Sequence, residues 1–224
     1  MATALKAILF DIDGTLVDSN DMHADCWVAA FAKFGKTVDR ESIRMQIGKG
    51  GDWIVPDALT AREMRAFGEK LKKYRGELWK NEYMREVKPF PGVEKALREV
   101  HERGIRLAFA SSSNPNEVEY YVELLGIAKL LEGSTSKGDA QFSKPSPEIF
   151  QAALEETGSK VHETLVVGDT PYDILAAHGG CLAVAALRCG GFPEDTLTKA
   201  EFLFQDVPEL VGNLKTIDEY FASE

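Results

Sequence analysis

Five short runs of nearly continuous apolar residues are spread along the chain, at Leu5–Phe10, Arg106–Ala110, Leu165–Val167, Leu182–Leu187 and Phe202–Phe204. Such runs are typical of strands whose two faces are both covered by helices, because neither face then has to be polar. Between most of them, apolar residues recur every three or four positions, the spacing of a helix with one buried face. Strands that alternate with helices predict an α/β fold with a parallel sheet.

Three of the predicted helices carry their own stop signals, and two of them carry start signals as well. The clearest begins with Asn114 as N-cap, Pro115 at the first helical position and Glu117 three residues after the cap, and Gly126 follows its last apolar residue, Leu125. Asparagine and proline favour the start of a helix, and glycine favours the position after its end. The other two are predicted over Val93–Val100, closed by Gly104, and after Ser146–Pro147, closed by Gly158.

The long segment between the first two predicted strands interrupts this alternation. It contains no convincing strand, and it is too long for a connection between neighbouring elements. Two strong helical patterns fill it, and a capping box of Thr60 and Glu63 opens the second. A separate N-terminal domain does not explain them, because the first strand precedes them. We therefore predict a core of residues 1–18 and 89–224 with an inserted helical cap of residues 19–88.

The composition narrows the classes of function. The 224 residues are 44% apolar and 28% charged, which is typical of a globular protein with a substantial core. The net charge of −10 repels nucleic-acid phosphates and anionic membrane surfaces, so we expect neither as a partner. The three cysteines form no C-x-x-C pair, and neither a signal peptide nor a membrane-spanning run is evident. We expect a cytoplasmic protein.

Two carboxylates follow the first strand. Asp11 and Asp13 are two residues apart on an extended chain, so their side chains point the same way, and their charges repel unless a cation is present. A calcium-binding EF-hand loop also begins D-x-D, but it needs glycine and glutamate where this chain has Leu16 and Met22. A merely polar turn after the strand remains an alternative on this motif alone.

Polar clusters also follow two other predicted strands. Ser111–Asn114 comes directly after the second, and Gly168–Asp173 directly after the third. The carboxyl ends of parallel strands lie along one edge of the sheet, where ligands bind at the switch in strand order. Lys144 precedes a predicted helix N-terminus, where positive potential already gathers. These clusters therefore converge on one cleft.

The sequence resembles the haloacid dehalogenase superfamily, in the helical-cap branch that includes phosphoglycolate phosphatases and β-phosphoglucomutase-like proteins. Asp11–Ser19 matches the first motif, D-x-D-G-T-L-x-D-S. Ser111 matches the second motif, Lys144 in its K-P-x-P context the third, and Gly168–Asp173 the fourth, G-D-T-x-x-D. The four motifs occur in the family's order and span nearly the whole chain. The resemblance implies a Rossmann-like core with an inserted cap.

The resemblance also implies a reaction. Asp11 would attack a substrate phosphorus and form an aspartyl-phosphate, which suits a carboxylate that is ionised at neutral pH. Asp13 would act as general acid and then as general base. Ser111 would hydrogen-bond the phosphoryl group, and Lys144 would offset its charge.

The cofactor implied by the resemblance is Mg²⁺. An oxygen-only site suits this ion, and its ligands would be Asp11, Asp169 and the backbone carbonyl of Asp13. Asp173 is either a further ligand or a residue that orients the others, and we favour the orienting role. A third interpretation is that Asp173 only stabilises the first turn of the following helix.

Substrate choice is expected to depend on the cap and on the loop after the second strand. His23 could reach the substrate, although a packed histidine on the stripe of Trp27 is the commoner case. The resemblance makes the glycine-rich stretch 46–52 a substrate-facing loop, with Lys49 and Arg44 near the leaving group, but its glycines could serve only a tight turn. Ser112 and Asn114 are further candidates for substrate binding.

We therefore predict a magnesium-dependent phosphatase that acts on a small phosphorylated metabolite. Dehalogenase and phosphonate-cleaving relatives lack a carboxylate at the position of Asp13, so its presence favours phosphate esters. A sugar phosphomutase is the nearest alternative, but many mutases carry Glu-Asp where this chain has Gly168 and Asp169. A receiver-like signalling module would need no cap. A phosphate-binding protein without turnover is the remaining alternative.

Overall fold

A parallel sheet of six strands forms the centre of the computed structural model, which describes residues 4–136 and 142–223. Its strands are β1 (Ala7–Phe10), β4 (Arg106–Ala110), β5 (Leu131–Thr135), β6 (Thr164–Gly168), β7 (Ala183–Leu187) and β8 (Phe202–Phe204), while β2 (Val17–Asp18) and β3 (Lys88–Pro89) form a separate pair. The six strands lie in the order β5-β4-β1-β6-β7-β8, so β1 is central and the chain continues from it toward both edges of the sheet. The sheet confirms the predicted α/β fold.

All five predicted strands are present, with ends shifted by up to two residues. The sequence analysis missed β5, which pairs with β4 at the edge of the sheet. Its sequence, Leu-Glu-Gly-Ser-Thr, has no apolar run because only one of its residues, Thr135, is buried. An edge strand of this kind lacks the pattern that identifies a central one.

Apolar side chains cover both faces of the central strands. Ile8 and Phe10 of β1 belong to one hydrophobic cluster, and Leu9 between them belongs to another on the opposite face. The neighbouring strands and the helices that pack on the sheet supply most of the rest. These helices are α6 (Val93–Glu102), α7 (Pro115–Leu125), α8 (Glu148–Thr157), α9 (Pro171–Gly179), α10 (Val207–Gly212) and α11 (Leu214–Ser223).

The inserted helices occupy residues 20–86 and pack on a cluster of their own around Trp27, Phe31 and Leu71. β2 and β3 lie where the chain enters and leaves the inserted segment, and they pair in antiparallel fashion, so its two ends lie side by side. The Thr60–Glu63 capping box is present, but the helix after it widens into π-helical turns at Met64–Gly68 and Trp79–Tyr83. The α-helices here are α1 (Asn20–Lys33), α2 (Arg40–Arg44), α3 (Gly51–Ala58), α4 (Ala61–Glu63) and α5 (Glu69–Leu78). No helix in the described part of the chain has the length and apolarity to cross a bilayer.

Candidate active site

Three neighbouring strands deliver polar side chains to one edge of the sheet. Asp11 follows β1, Ser111 follows β4 and Asp169 follows β6, and all three residues are buried. One carboxylate oxygen from each of Asp11, Asp169 and Asp173 lies within 4.8 Å of the other two. The parallel sheet thus brings together acids that are far apart in the sequence, as predicted.

Lys144 joins two of these acids. Its ammonium donates hydrogen bonds to Oδ1 of Asp11 and, at 2.7 Å, to Oδ1 of Asp173. The lysine side chain is only 1% exposed. Burial lowers the pKa of Lys144, but the charges of Asp11 and Asp173 outweigh it, so the pKa lies above its ordinary value. Lys144 is therefore a fixed positive charge beside Asp11.

Asp173 uses both of its carboxylate oxygens within the protein. While Oδ1 accepts from Lys144, Oδ2 accepts from the backbone N–H of Thr170 at 3.0 Å and from its hydroxyl at 2.6 Å. The bond from the Thr170 N–H, together with the reciprocal bond from the Asp173 N–H to the Thr170 hydroxyl at 3.2 Å, forms the capping box of α9. This geometry supports two of the three interpretations of Asp173 together: it orients Lys144 and it stabilises the first turn of α9.

Asp169 is held by two donors that the sequence analysis missed. The hydroxyl of Thr15 donates to Oδ1 at 3.1 Å, and the amide of Asn20 donates to Oδ2 at 2.7 Å. The approach of the backbone to this carboxylate requires glycine, because a Cβ atom on Gly190 would lie 1.8 Å from Oδ2. Asn20 and Asp169 are separated by 149 positions, so no local pattern connects them.

The buried carboxylates of Asp11, Asp169 and Asp173 carry more negative charge, when ionised, than the ammonium of Lys144 can balance. Burial and the neighbouring charge of Asp173 raise the pKa of Asp169 to about 7. Burial also raises the pKa of Asp11 well above its ordinary value, although Lys144 opposes the shift. Buried carboxylates in this state favour a further cation. An all-oxygen donor set fits Mg²⁺ best, and Asp11 and Asp169 are the carboxylates placed to hold it.

Asp13 lies among hydrogen-bond donors instead. Its Oδ1 accepts from the Ser19 hydroxyl at 2.7 Å and contacts His23 Nε2 at 2.9 Å, and its Oδ2 accepts from the Ser113 hydroxyl at 2.9 Å. Burial raises the pKa of Asp13, but His23 and the bonds from the serines outweigh burial, so the pKa lies below its usual range. The sequence analysis missed the roles of Ser19 and Ser113.

His23 connects Asp13 to the half-buried Arg75. Nη2 of Arg75 contacts Nδ1 of His23. Since a guanidinium group can only donate, Nδ1 accepts and the Nε2 proton is donated to Asp13. The imidazole also stacks on Trp79, with ring centroids 3.6 Å apart. His23 is therefore both a packed histidine and a neighbour of the predicted acid–base residue.

A cavity of about 120 Å³ opens above these residues. Nearly all of the predicted substrate-binding residues line it. Lys72, Arg75 and Glu117 line it as well, and the sequence analysis did not identify them as site residues. The predicted residues that line it are Asp11, Asp13, His23, Lys49, Ser111, Ser112 and Asn114. Lys72 and Arg75 come from α5 of the inserted helices, where no motif identifies them. Glu117 comes from the first turn of α7, and the sequence marks it only as part of the start of that helix.

Arg44 is the exception among the predicted substrate-binding residues. It is not among the described residues that line the cavity. Its Nη2 donates to the carbonyl of Gly190, its Nε donates to Asp21 at 3.0 Å, and its guanidinium lies 5.3 Å from the ring of Phe192. The structure thus gives Arg44 a contact between the inserted helices and the sheet domain, and not the expected position near the leaving group.

The glycine-rich stretch 46–52 combines the two interpretations given to it. Gly48 has a φ of +102°, which favours glycine, and a Cβ atom there would lie 2.8 Å from Thr170. Lys49 lines the cavity, pairs with Asp57 at 3.2 Å and lies 5.1 Å from the ring of Tyr172. The stretch is a tight turn that also faces the site.

Comparison with known proteins agrees with the geometry. A family model described as haloacid dehalogenase-like hydrolase matches residues 8–187, which is well over half of the chain. The chain is 29% identical to the pyrophosphatase PpaX of Oceanobacillus iheyensis over 210 residues, which cover 93% of this chain and 96% of that protein. It is 30% identical to the phosphoglycolate phosphatase of Vibrio parahaemolyticus over 185 residues, covering 79% of this chain and 81% of that protein.

A solved structure agrees in fold. The crystal structure of a hydrolase from Pseudomonas syringae aligns with a TM-score of 0.84 at 24% identity, and the alignment covers 95% of this chain and 99% of that one. At this identity the likeness concerns the fold alone.

Proposed function

We propose that this chain, which belongs to the haloacid dehalogenase-like hydrolases and is a phosphatase of that family, hydrolyses a small phosphorylated metabolite through an aspartyl-phosphate on Asp11. One observation carries the proposal: the carboxylates of Asp11 and Asp169 lie close enough to share a cation, beside the ammonium of Lys144. The small volume of the cavity supports a small substrate.

Asp11 is the nucleophile in this proposal. Its carboxylate attacks phosphorus, the bond from phosphorus to the leaving-group oxygen breaks, and that oxygen takes a proton from Asp13. The three donors hold Asp13 ionised in the free site, so a monoanionic phosphate ester first passes its proton to Asp13, which then gives it to the leaving-group oxygen. In the second step, ionised Asp13 takes a proton from the water that attacks the aspartyl-phosphate. The bond from phosphorus to the Asp11 oxygen breaks, and the proton leaves Asp13 with the released phosphate.

The remaining residues stabilise charge. Ser111 and Lys144 lie beside Asp11 and are placed to bond and balance the oxygens of the transferring phosphoryl group. Mg²⁺, when bound by Asp11, Asp169 and the Asp13 carbonyl, would supply further positive charge to the same oxygens.

We also propose that residues 19–88 act as a cap on a core of residues 1–18 and 89–224. Contacts between the two support a closed arrangement. The indole N–H of Trp53 donates to the carbonyl of Ser143 at 3.2 Å, and the hydroxyl of Tyr172 donates to the carbonyl of Met45 at 2.7 Å. A closed cap excludes bulk water from the aspartyl-phosphate until hydrolysis.

Two further observations bear on the substrate and the reaction. The relatives are named as a pyrophosphatase and a phosphoglycolate phosphatase. The substrate in each of these names is a small phosphate compound. A Cβ atom on Gly168 would lie 2.4 Å from Cγ of Asp173. The glutamate that many mutases carry at this position therefore has no room, which supports a phosphatase over a phosphomutase.

A panel of phosphorylated metabolites, assayed with and without Mg²⁺, tests the proposal. We expect magnesium-dependent release of free phosphate by the wild type and none above background by Asp11→Asn. Formation of an isomeric sugar phosphate in place of free phosphate would identify a phosphomutase. Equal activity of the two proteins would reject the covalent mechanism, and binding without turnover would identify a phosphate-binding protein.

A further inference from the structure

Glu117 is a buried carboxylate with unused hydrogen-bonding capacity in the cavity. It lies in the first turn of α7, is only 5% exposed and lines the cavity. Its Oε1 accepts from the side-chain amide of Asn114 at 2.9 Å, but its Oε2 is buried without a partner among the described residues. A buried acceptor without a donor is costly, so a native site supplies a donor from a ligand or a water molecule.

Arg75 lines the same cavity and has the complementary requirement. Its Nη2 contacts His23, and its guanidinium lies 5.0 Å from the ring of Trp27 and 5.3 Å from the ring of Trp79. Its Nε is also buried without a partner among the described residues. The cavity is thus lined by one residue with a spare acceptor and one with a spare donor.

From this pair we infer that Glu117 and Arg75 recognise a hydroxyl group on the leaving group of the substrate. A hydroxyl can donate to Oε2 of Glu117 and accept from Nε of Arg75 at the same time. A methyl ether cannot donate and an ammonium cannot accept, so neither satisfies both atoms. The inference rests on the proposed function and specifies its substrate class as hydroxylated phosphate monoesters.

The position of Glu117 assigns it to the leaving group. The phosphoryl group is expected beside Asp11, Ser111 and Lys144. Glu117 lies at the part of the cavity wall that it shares with a larger neighbouring cavity, together with Lys72, Gly76 and Asn114. The two cavities meet between α5 and α7, so a leaving group directed away from Asp11 passes Glu117.

Matched pairs of substrates test the inference. The probes are 2-hydroxyethyl and 3-hydroxypropyl phosphate, their O-methyl ethers, and p-nitrophenyl phosphate as a substrate without a hydroxyl. We expect wild-type kcat/KM to favour the hydroxyl member of at least one pair by about tenfold or more, because a site built to bond a hydroxyl discriminates against the analogue that cannot donate.

Matched glutamate variants assign the preference to Glu117. Glu117→Leu should reduce the hydroxyl-to-ether ratio to about one, mainly through the hydroxyl substrate, and Glu117→Gln, which keeps an acceptor oxygen, should retain part of it. Glu155→Leu makes the same change at an exposed position of α8 that lines neither cavity, and it should keep the wild-type ratio. The ratio compares two substrates on one protein, so it is independent of the amount of folded enzyme.

A wild-type ratio near one for both pairs, or a ratio that survives Glu117→Leu, would overturn the inference and assign the two atoms to a water molecule. The wild-type ratio tests the inference even if the leucine variant does not fold. Hydrolysis of p-nitrophenyl phosphate with no preference in either pair would reject the inference alone. Failure to hydrolyse any of the probes would reject the proposed function as well.

Discussion

Asp11 and Asp13 are two residues apart and face one cavity, but their surroundings are opposite. Around Asp11 lie further carboxylates and the ammonium of Lys144, and burial raises the pKa of Asp11. Around Asp13 lie a histidine and two hydroxyl groups, and these lower its pKa despite burial. The comparison shows that the D-x-D motif supplies two identical side chains, whereas the fold assigns them different chemistry.

The two surroundings also come from different parts of the chain. The groups around Asp11 follow strands of the sheet or precede α8, all within the predicted core. Beside Asp13, Ser113 also follows a strand of the sheet, but His23 belongs to α1 and is held by Arg75 of α5, both in the inserted helices. The proposed nucleophile is therefore placed by the sheet, and the proposed acid–base residue depends on the inserted helices as well.

The largest effect is expected at the nucleophile. Asp11→Asn removes the attacking oxygen and should lower kcat by more than about 10⁴-fold on every substrate, as loss of a nucleophile does in other enzymes. Phosphate release measures the loss, and circular dichroism verifies the fold. A variant that keeps a tenth of the wild-type rate would show that the two aspartates do not differ as described.

The next effect concerns Asp13. Asp13→Asn should reduce kcat by about 10²–10⁴-fold on alkyl phosphates, the range of general acid–base catalysis. The first step of p-nitrophenyl phosphate hydrolysis should suffer less, because its leaving group needs no proton. Equal losses in the burst of p-nitrophenol and in the release of an alkyl alcohol would contradict the acid role.

Mg²⁺ should stabilise the folded protein through the carboxylates around Asp11, and the size of this stabilisation should depend on pH. The pKa of Asp169 is raised from 3.8 to about 7 by burial and Asp173, so between these values the folded state keeps a proton that the unfolded chain has released. The free energy of unfolding of the metal-free protein should therefore fall as the pH rises through this window.

Mg²⁺ competes with that proton, so its stabilising effect should be larger at pH 8 than at pH 5. At a hundred times its Kd it should add about 2.7 kcal/mol at the higher pH. Thermal unfolding with and without the ion measures both trends, and Asp169→Asn is the control that should abolish them. A stabilisation that is independent of pH would contradict this assignment.

A smaller effect is expected at His23, which belongs to the proposed cap and bonds Asp13. His23→Phe keeps the stacking on Trp79 but removes the hydrogen bonds to Asp13 and Arg75. We expect kcat on alkyl phosphates to fall by about tenfold with little change in KM, the size of effect seen when a group that orients a functional residue is lost. His23→Gln, which can still donate, should recover part of the rate. An effect confined to KM would indicate that His23 binds substrate instead.

The smallest effect concerns the contact between Asp52 of the proposed cap and Ser143 of the proposed core. Asp52 accepts from the Ser143 hydroxyl at 2.8 Å and from its backbone N–H at 3.2 Å. Loss of one such bond, worth about 1 kcal/mol, should raise KM roughly fivefold in Asp52→Asn. Since the two residues share a contact, adding Ser143→Ala should produce little further change. Additive effects would show that the contact does not hold the cap.

The sequence predicted the sheet half of the site far better than the cap half. Apolar runs identify the central strands because both their faces are buried, and polar residues at their ends then meet at one edge. The edge strand β5 lacks such a run. The positions of Arg75 and Glu117 follow from helices that pack across a long separation in sequence, and Arg44, predicted near the leaving group, bonds the Gly190 carbonyl instead. No periodicity encodes those contacts.

The most direct test of the covalent mechanism is mass spectrometry of the protein quenched with acid during turnover of p-nitrophenyl phosphate. The account predicts one added phosphoryl group on the peptide that contains Asp11, absent from Asp11→Asn and from wild-type protein without substrate. Continued turnover with the phosphoryl group on another residue would contradict it.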